Sequence, residues 1–336
     1  MALRSALTPL AALLLAGWPL AAPAAQEGEL YASSRSLLLE DSRFVREAAL
    51  DRLQQIRFAF REPQAEPGQQ PVWARAYGNW GSVDADGAAA RVERDSGGLF
   101  LGFDRKLDDR WVAGALAGYS QLDAHLDGRA AAADIDSYHL AAYAAARIYN
   151  QLGFKLGAAY SQHQLDSSRQ GLHGEGDGHS LQAFGEAGYA MDFQTFTIEA
   201  FTSLAYVTQR SDGLTEKGGA GALRVSSGSE HASLATFGWR AATSFTLNGG
   251  QRLVTRGSLG WRHAFGSTEV SSDAVALADG AAIRSAGVPL SEDSLRLDLG
   301  LDYELLPEVY VGLLYAGNYA DAARDNAVST RLSLKF

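Results

Sequence analysis

The stretch Leu295-Arg296-Leu297-Asp298-Leu299-Gly300-Leu301-Asp302-Tyr303-Glu304-Leu305 alternates without a break. Successive side chains of a β-strand point to opposite faces, so Leu295, Leu297, Leu299, Leu301, Tyr303 and Leu305 share one side. Arg296, Asp298, Gly300, Asp302 and Glu304 share the other. One face is apolar throughout and the other is charged. The same division recurs in residues 152–163, where Phe154, Leu156, Ala158 and Tyr160 oppose Lys155, Gly157, Ser161 and His163. It returns at the end of the chain, where Val328, Thr330, Leu332, Leu334 and Phe336 oppose Ser329, Arg331, Ser333 and Lys335.

Working outward, period two governs everything after Pro71. Strands are expected to begin near Val72, Ser96, Arg110, Ile135, Leu152, Ser180, Thr195, Ala232, Arg252, Ser294, Val309 and Asn326. Many are longer than soluble strands usually are, and ten or more tilted residues is what a bilayer span requires. Short links at Asp108-Asp109, Asn150-Gln151, Asp192-Phe193, 248–250 and Leu306-Pro307 alternate with long ones over 83–95, 123–134, 166–178, 210–231 and 270–293. Barrels inserted from one side show this asymmetry, whereas a soluble sandwich has no cause for it. The fold class that follows is all-β: a twelve-stranded antiparallel transmembrane barrel. Backbone pairing around a closed wall needs no apolar helix, which reconciles a membrane location with a mean hydropathy of −0.13. Trp73, Trp80, Trp111, Tyr119, Tyr138, Tyr149, Tyr160, Tyr189, Tyr206, Trp239, Trp261, Tyr303 and Tyr315 are expected at the two membrane interfaces.

Upstream of Pro71 the chain reads differently. Met1 to Arg4 precede an apolar run to Ala21, followed by Ala22-Pro23-Ala24-Ala25, the pattern of a secretory signal peptide over 1–25. Two prolines and a short apolar run argue against a membrane anchor. From Leu30 to Arg61 there is no Gly or Pro, and Arg43, Arg46, Glu47, Asp51, Arg52 and Arg57 are spread around the axis among Phe44, Val45, Leu50, Leu53 and Ile56. An N-terminal α-helix so mixed suits a polar barrel lumen rather than a dry core. The prolines of 62–71 end it. Residues 26–71 thus form a helix and linker, and 72–336 the barrel.

Several strings resemble the translocator β-domain of bacterial autotransporters: Gly114-Ala-Leu-Ala-Gly-Tyr-Ser-Gln121, Asp134-Ile-Asp-Ser-Tyr138, Gly185-Glu-Ala-Gly-Tyr189, Gly257-Ser-Leu-Gly-Trp-Arg-His-Ala-Phe-Gly266 and Leu332-Ser-Leu-Lys-Phe336. The resemblance covers about 73–336. It implies an outer-membrane pore and anchor that exports an N-terminal passenger, with a helix threaded through the lumen. It further implies export through the Sec translocon, periplasmic chaperones, and the barrel assembly machinery, which would read Leu332, Leu334 and Phe336. Lipid and lipopolysaccharide would surround a monomer. Inward-facing candidates are Lys155, Glu186, Glu199, Arg240, Arg256, Arg262, Arg296, Asp298, Asp302, Glu304, Arg331 and Lys335, whose mixed signs could hold a mixed-charge helix. Only Gln26 to Glu29 separate signal from helix, so the passenger is expected to be lost or minimal. The helix also lacks the Asn-Asn pair of self-cutting family members, and no self-cleavage by that route is expected.

Composition narrows the rest. A net charge of −10 over 336 residues argues against nucleic acid, and the lack of Cys excludes disulfides and thiolate metal sites. No Gly-x-Ser-x-Gly, His-Glu-x-x-His, EF-hand or Walker string occurs. His173, Glu175, Asp177 and His179 form a loose grouping, read as a solvated Gly-rich loop. Ser137 and His139 share a strand face with Tyr143, where a barrel hydrolase would begin, but no orienting third group is evident. Gly213 to Gly228 reads as a mobile outer loop. No catalytic, cofactor-binding or metal site is therefore expected. A porin-like channel and a loop-mediated adhesin are the alternative functions.

Overall fold

The computed structural model describes residues 27–59, 71–87, 89–148 and 151–334. The signal segment, most of the linker, Tyr149, Lys335 and Phe336 lie outside the described residues, as does the side chain of Arg57.

Helix α1, Glu29–Ala59, is followed by strands β1 (Val72–Val83), β2 (Val92–Lys106), β3 (Trp111–Leu126), β4 (Ala131–Ile148), β5 (Leu152–Arg169), β6 (Leu172–Asp192) and β7 (Phe196–Ser211). Then come β8 (Leu214–Thr215), β9 (Leu223–Val225), β10 (Gly228–Thr246), β11 (Arg252–Phe265), β12 (Ser271–Ala276) and β13 (Ala282–Ala286). The chain ends with β14 (Asp293–Leu306), β15 (Val309–Tyr319) and β16 (Ala323–Leu334). Twelve of these form a closed barrel in the order β1-β16-β15-β14-β11-β10-β7-β6-β5-β4-β3-β2. Antiparallel pairing of β1 with β16, from Val72 opposite Leu334 to Val83 opposite Ala323, closes the wall and leaves it no edge.

The alternation read from 295–305 is the alternation of the wall. Leu299 and Leu301 are 53% and 47% exposed on the outside, while Asp302 is buried inside. Among the described residues no helix is long and apolar enough to cross a membrane; the strands are what cross. Trp80, Trp111, Tyr119, Tyr138, Tyr160, Tyr189, Tyr206, Trp239 and Trp261 lie on the outer face. Trp73 does not. It is 1% exposed, because β1 turns Trp73, Arg75, Tyr77 and Asn79 inward. Its indole covers Gly102, its register partner on β2, where any Cβ would overlap the ring. Tyr143 lies in the same way over Gly114 on β3.

At the end where β1 starts and β16 finishes, the links are short; in one of them Asp108 accepts the backbone N–H groups of Arg110 (2.7 Å) and Trp111 (2.8 Å). Those two bonds hold the Asp108 carboxyl below the usual carboxylate range. At the other end the expected long loops over 123–134 and 166–178 are instead largely strand, with links of only 127–130 and 170–171. β5 and β6 run for 18 and 21 residues and join through Gln170 and Gly171, both at positive φ (51° and 82°), the backbone of a two-residue hairpin turn. Above the membrane the outward face turns polar, while Leu122, Ala124, Leu126, Ala133 and Ile135 face inward, so the lipid-facing period fades before the strands end.

The stretch 213–228, expected as a mobile loop, is also ordered. β8 and β9 join β12 and β13 in a second sheet of order β13-β12-β9-β8, with Leu214, Leu223, Val225, Ala274 and Ile283 buried against Tyr31 of the helix. It forms a lid over the outer mouth.

Filling the space over Gly102 should be costly. Gly102→Leu is expected to destabilise the barrel by about 1–3 kcal/mol, the usual cost of overpacking. The readout is a lower temperature for loss of the compact electrophoretic form. Gly78→Ala, whose Cβ would meet nothing within 4 Å, should leave that temperature unchanged.

Candidate functional site

The lumen is where chemistry-bearing side chains concentrate. Its occupant, α1, is 31 residues long, about 46 Å at 1.5 Å per residue. The helix leans on β4, β5 and β7. Its N-terminal end lies under the lid and its C-terminal end among residues near the start of β1.

Ion pairs tie it to the wall from Glu29 to Arg52. At the lid end Glu29 accepts the Ala90 N–H and pairs with Arg129 at 2.9 Å. Glu40 receives both Nη atoms of Arg262, at 2.8 and 2.9 Å. Asp41 pairs with Arg94 at 2.6 Å, and Arg43 with Asp325 at 2.5 Å. Asp325 also receives Arg94 and Asn79, which makes it a hub for two buried guanidiniums. Lower down Glu47 meets Arg296, Asp51 meets Arg75 at 2.8 Å, and Arg52 meets Asp104. Arg46 has a neutral partner, the Gln182 Oε1 at 2.7 Å. Apolar contacts fill between, with Phe44 stacked on Tyr77 at 4.4 Å between centroids.

The inward candidates sit in this network. Lys155 donates to Gln54 (2.6 Å) and Glu186 (2.7 Å). Arg240 bridges Glu186 (2.7 Å) and Glu199 (3.0 Å). Asp302 receives Arg331 (2.7 Å) and lies 3.2 Å from Arg256. Asp298 pairs with Arg296 at 3.0 Å, and Glu304 bonds Tyr310 near the inner mouth. Sequence reasoning missed Glu40, Asp41, Arg75, Arg94, Asp104, Gln182 and Asp325, although each wall member lies at an inward parity position of its strand.

The remaining candidates do not converge. Ser137 bonds His163 Nδ1 (2.7 Å) rather than His139. His139 lies between Ser120 (2.8 Å) and Ser161 (2.7 Å). These are cross-strand rungs between serines, and among the described residues no carboxylate bonds either ring. His173, Glu175, Asp177 and His179 occupy successive alternate positions of β6, roughly 7 Å apart, and are strand rather than loop. On the outer wall His263, Glu292 and Asp293 bring one ligand atom each within 4.8 Å of one another, but Asp293 is already engaged by Trp261 Nε1 (2.8 Å) and His263 Nδ1 (2.9 Å).

A closed twelve-stranded wall with a charged helix inside matches a known domain: the autotransporter β-domain model covers residues 72–316. The chain belongs to the autotransporter β-domain family. Its fold is similar to the translocator domain of NalP from Neisseria meningitidis (TM-score 0.69, 15% identity, covering 90% of this chain and 100% of that one). It is also similar to the transport unit of AIDA-I from Escherichia coli (TM-score 0.61, 16% identity, 93% and 98% covered). In sequence it is 29% identical over 318 residues to an extracellular serine protease of Serratia marcescens, covering 92% of this chain and 30% of that relative. The chain thus spans under a third of the relative's length. As a translocator barrel it resides in the bacterial outer membrane.

Asp325 supplies a direct test of the ionic seat. Asp325→Ala leaves Arg43 and Arg94 buried without their shared carboxylate, which should cost about 3–5 kcal/mol. A thermal shift of the folded barrel in detergent measures it, and Arg43→Met with Asp325→Leu in one chain should recover part of the loss.

Proposed function

We propose that this autotransporter barrel serves as the pore and anchor through which an N-terminally attached segment reaches the cell surface, after which α1 remains as the seal. The observation that carries this reading is the direction of the helix. Glu29 and Tyr31 lie at the lid end, bonded to Ala90, Arg129, Ser167 and Glu216, while Arg52 lies at the short-turn end, bonded to Asp104 and Ser333. Short turns mark the periplasmic side of such barrels. A chain running upstream from Glu29 therefore emerges outside. The wall supplies an aqueous, fully hydrogen-bonded passage and performs no bond chemistry; the driving force comes from folding outside or from assembly.

Sec-dependent export of residues 1–25, periplasmic chaperones and recognition of the last strand by the barrel assembly machinery belong to the same proposal. They are supported by the apolar N-terminal run and by the exposed edge that β16 offers before it closes on β1.

Two measurements test it. In planar bilayers the full barrel should conduct little, and removing residues 27–59 should open it to a conductance several-fold higher. An epitope placed immediately before Glu27 should be cut by protease added to intact cells. An epitope that stays protected while the barrel is inserted refutes export, and equal conductance with and without the helix refutes the seal.

A further inference from the structure

A cavity of about 110 Å³ remains between α1 and the inner face of β7, β10, β11, β14 and β15. Its lining carries Arg43, Arg46, Arg240, Arg256, Arg262 and Arg296, against Glu47, Asp51, Glu186 and Asp298. Most of these guanidiniums are matched: Arg262 by Glu40, Arg296 by Glu47 and Asp298, Arg240 by Glu186 and Glu199, Arg43 by Asp325. Arg46 is not. It is 8% exposed, and among the described residues its hydrogen-bond partner is the neutral amide of Gln182. Three further N–H groups of the lining arginines, Arg43 Nη1, Arg240 Nε and Arg256 Nε, are buried without any hydrogen-bond partner.

A buried guanidinium whose counter-charges make no hydrogen bond to it is expensive, and orphaned donors beside it raise the cost further. One ligand class answers both. The planar fork of arginine matches the oxygens of a tetrahedral anion, and the cavity is roomy enough for one such ion with water. We propose that the cavity beside the helix is an anion site, in which Arg46, with Arg43 and Arg240, holds a small inorganic oxyanion of the phosphate or sulfate class. The ion neutralises the unmatched helix charge and so tightens the seat of α1. The site rests on the helix being in the lumen, not on its role in export.

The experiment uses the full barrel in detergent and follows its apparent unfolding temperature as phosphate replaces chloride at constant ionic strength. The expected result is a rise on the order of 2–4 °C, kept in Arg110→Gln, whose arginine lies on an exposed turn. The rise should vanish in Arg46→Gln and in Gln182→Glu, which gives Arg46 a carboxylate of its own. Equal stabilisation by the two salts, or a phosphate response that survives in both variants, overturns the proposal. Should neither variant fold, equilibrium dialysis of the unaltered barrel with labelled sulfate decides: about one ion per chain is expected, and none overturns it.

Discussion

Hydrocarbon offers no hydrogen bonds, and that constraint shapes this molecule from the outside inward. Each N–H and C=O of a spanning strand has to find a partner within the wall, so the sheet must close, which here happens between β1 and β16. Closure with twelve strands encloses a lumen too wide for wall side chains alone to fill. The inner face alternates with a lipid-facing apolar one, leaving it free to be polar. Whatever fills the space must then be polar as well, and α1 is so by composition.

Filling a lumen with ions is a different problem from filling a core with methyl groups. Each buried charge loses its hydration, and a partner restores the balance only with close geometry and its other donors satisfied. The wall meets the helix carboxylates with arginine, one each for Glu40, Asp41, Glu47 and Asp51, and meets the helix guanidiniums of Arg43 and Arg52 with aspartate. Arginine's fixed fork can serve two acceptors at once, as Arg240 does for Glu186 and Glu199. The pairs are spread along the helix rather than clustered, so sliding or rotating it would break many together. Specific position, more than net stability, is what such a network confers.

Much of this was legible from alternation. Strand starts at the short-turn end coincide with the sequence reading at Val72, Leu152, Arg252 and Val309, because there the lipid-facing period is abrupt. At the outer end Leu172 precedes the expected Ser180 by eight positions, since strands standing in water need no apolar face. The lid strands were hidden for the same reason, together with their brevity: Leu223 and Val225 make a short patch that only the fold brings beside Ala274. Trp73 shows the limit of residue-type rules. An aromatic ring is suited to the interface, but strand parity and the space over Gly102 send it inward. Partners of the helix charges could not be assigned at all, because Asp325 and Arg43 are distant in sequence and a barrel's register is a property of the closed wall.

The lid and the helix depend on each other. The Gly28 N–H bonds Ser285 Oγ (3.1 Å), Ser33 bonds the Val288 N–H (3.2 Å), and Arg35 donates to the carbonyls of Ser226 (2.8 Å) and Ser271 (3.3 Å). Gly287 lies so close to Ala32 and Ser33 that a Cβ there would meet the helix backbone. These contacts join β9, β12 and β13 to a helix that has already taken its place, and none of them can form around a lumen still carrying an extended chain. The lid's own strand pairings are short, two residue pairs between β8 and β9, three between β9 and β12 and five between β12 and β13, and its apolar face is covered by Tyr31 of α1. Its order is therefore borrowed from α1 together with β5 and β6, which hold it through Arg169 on Glu216 and through the His173–Lys217 bridge.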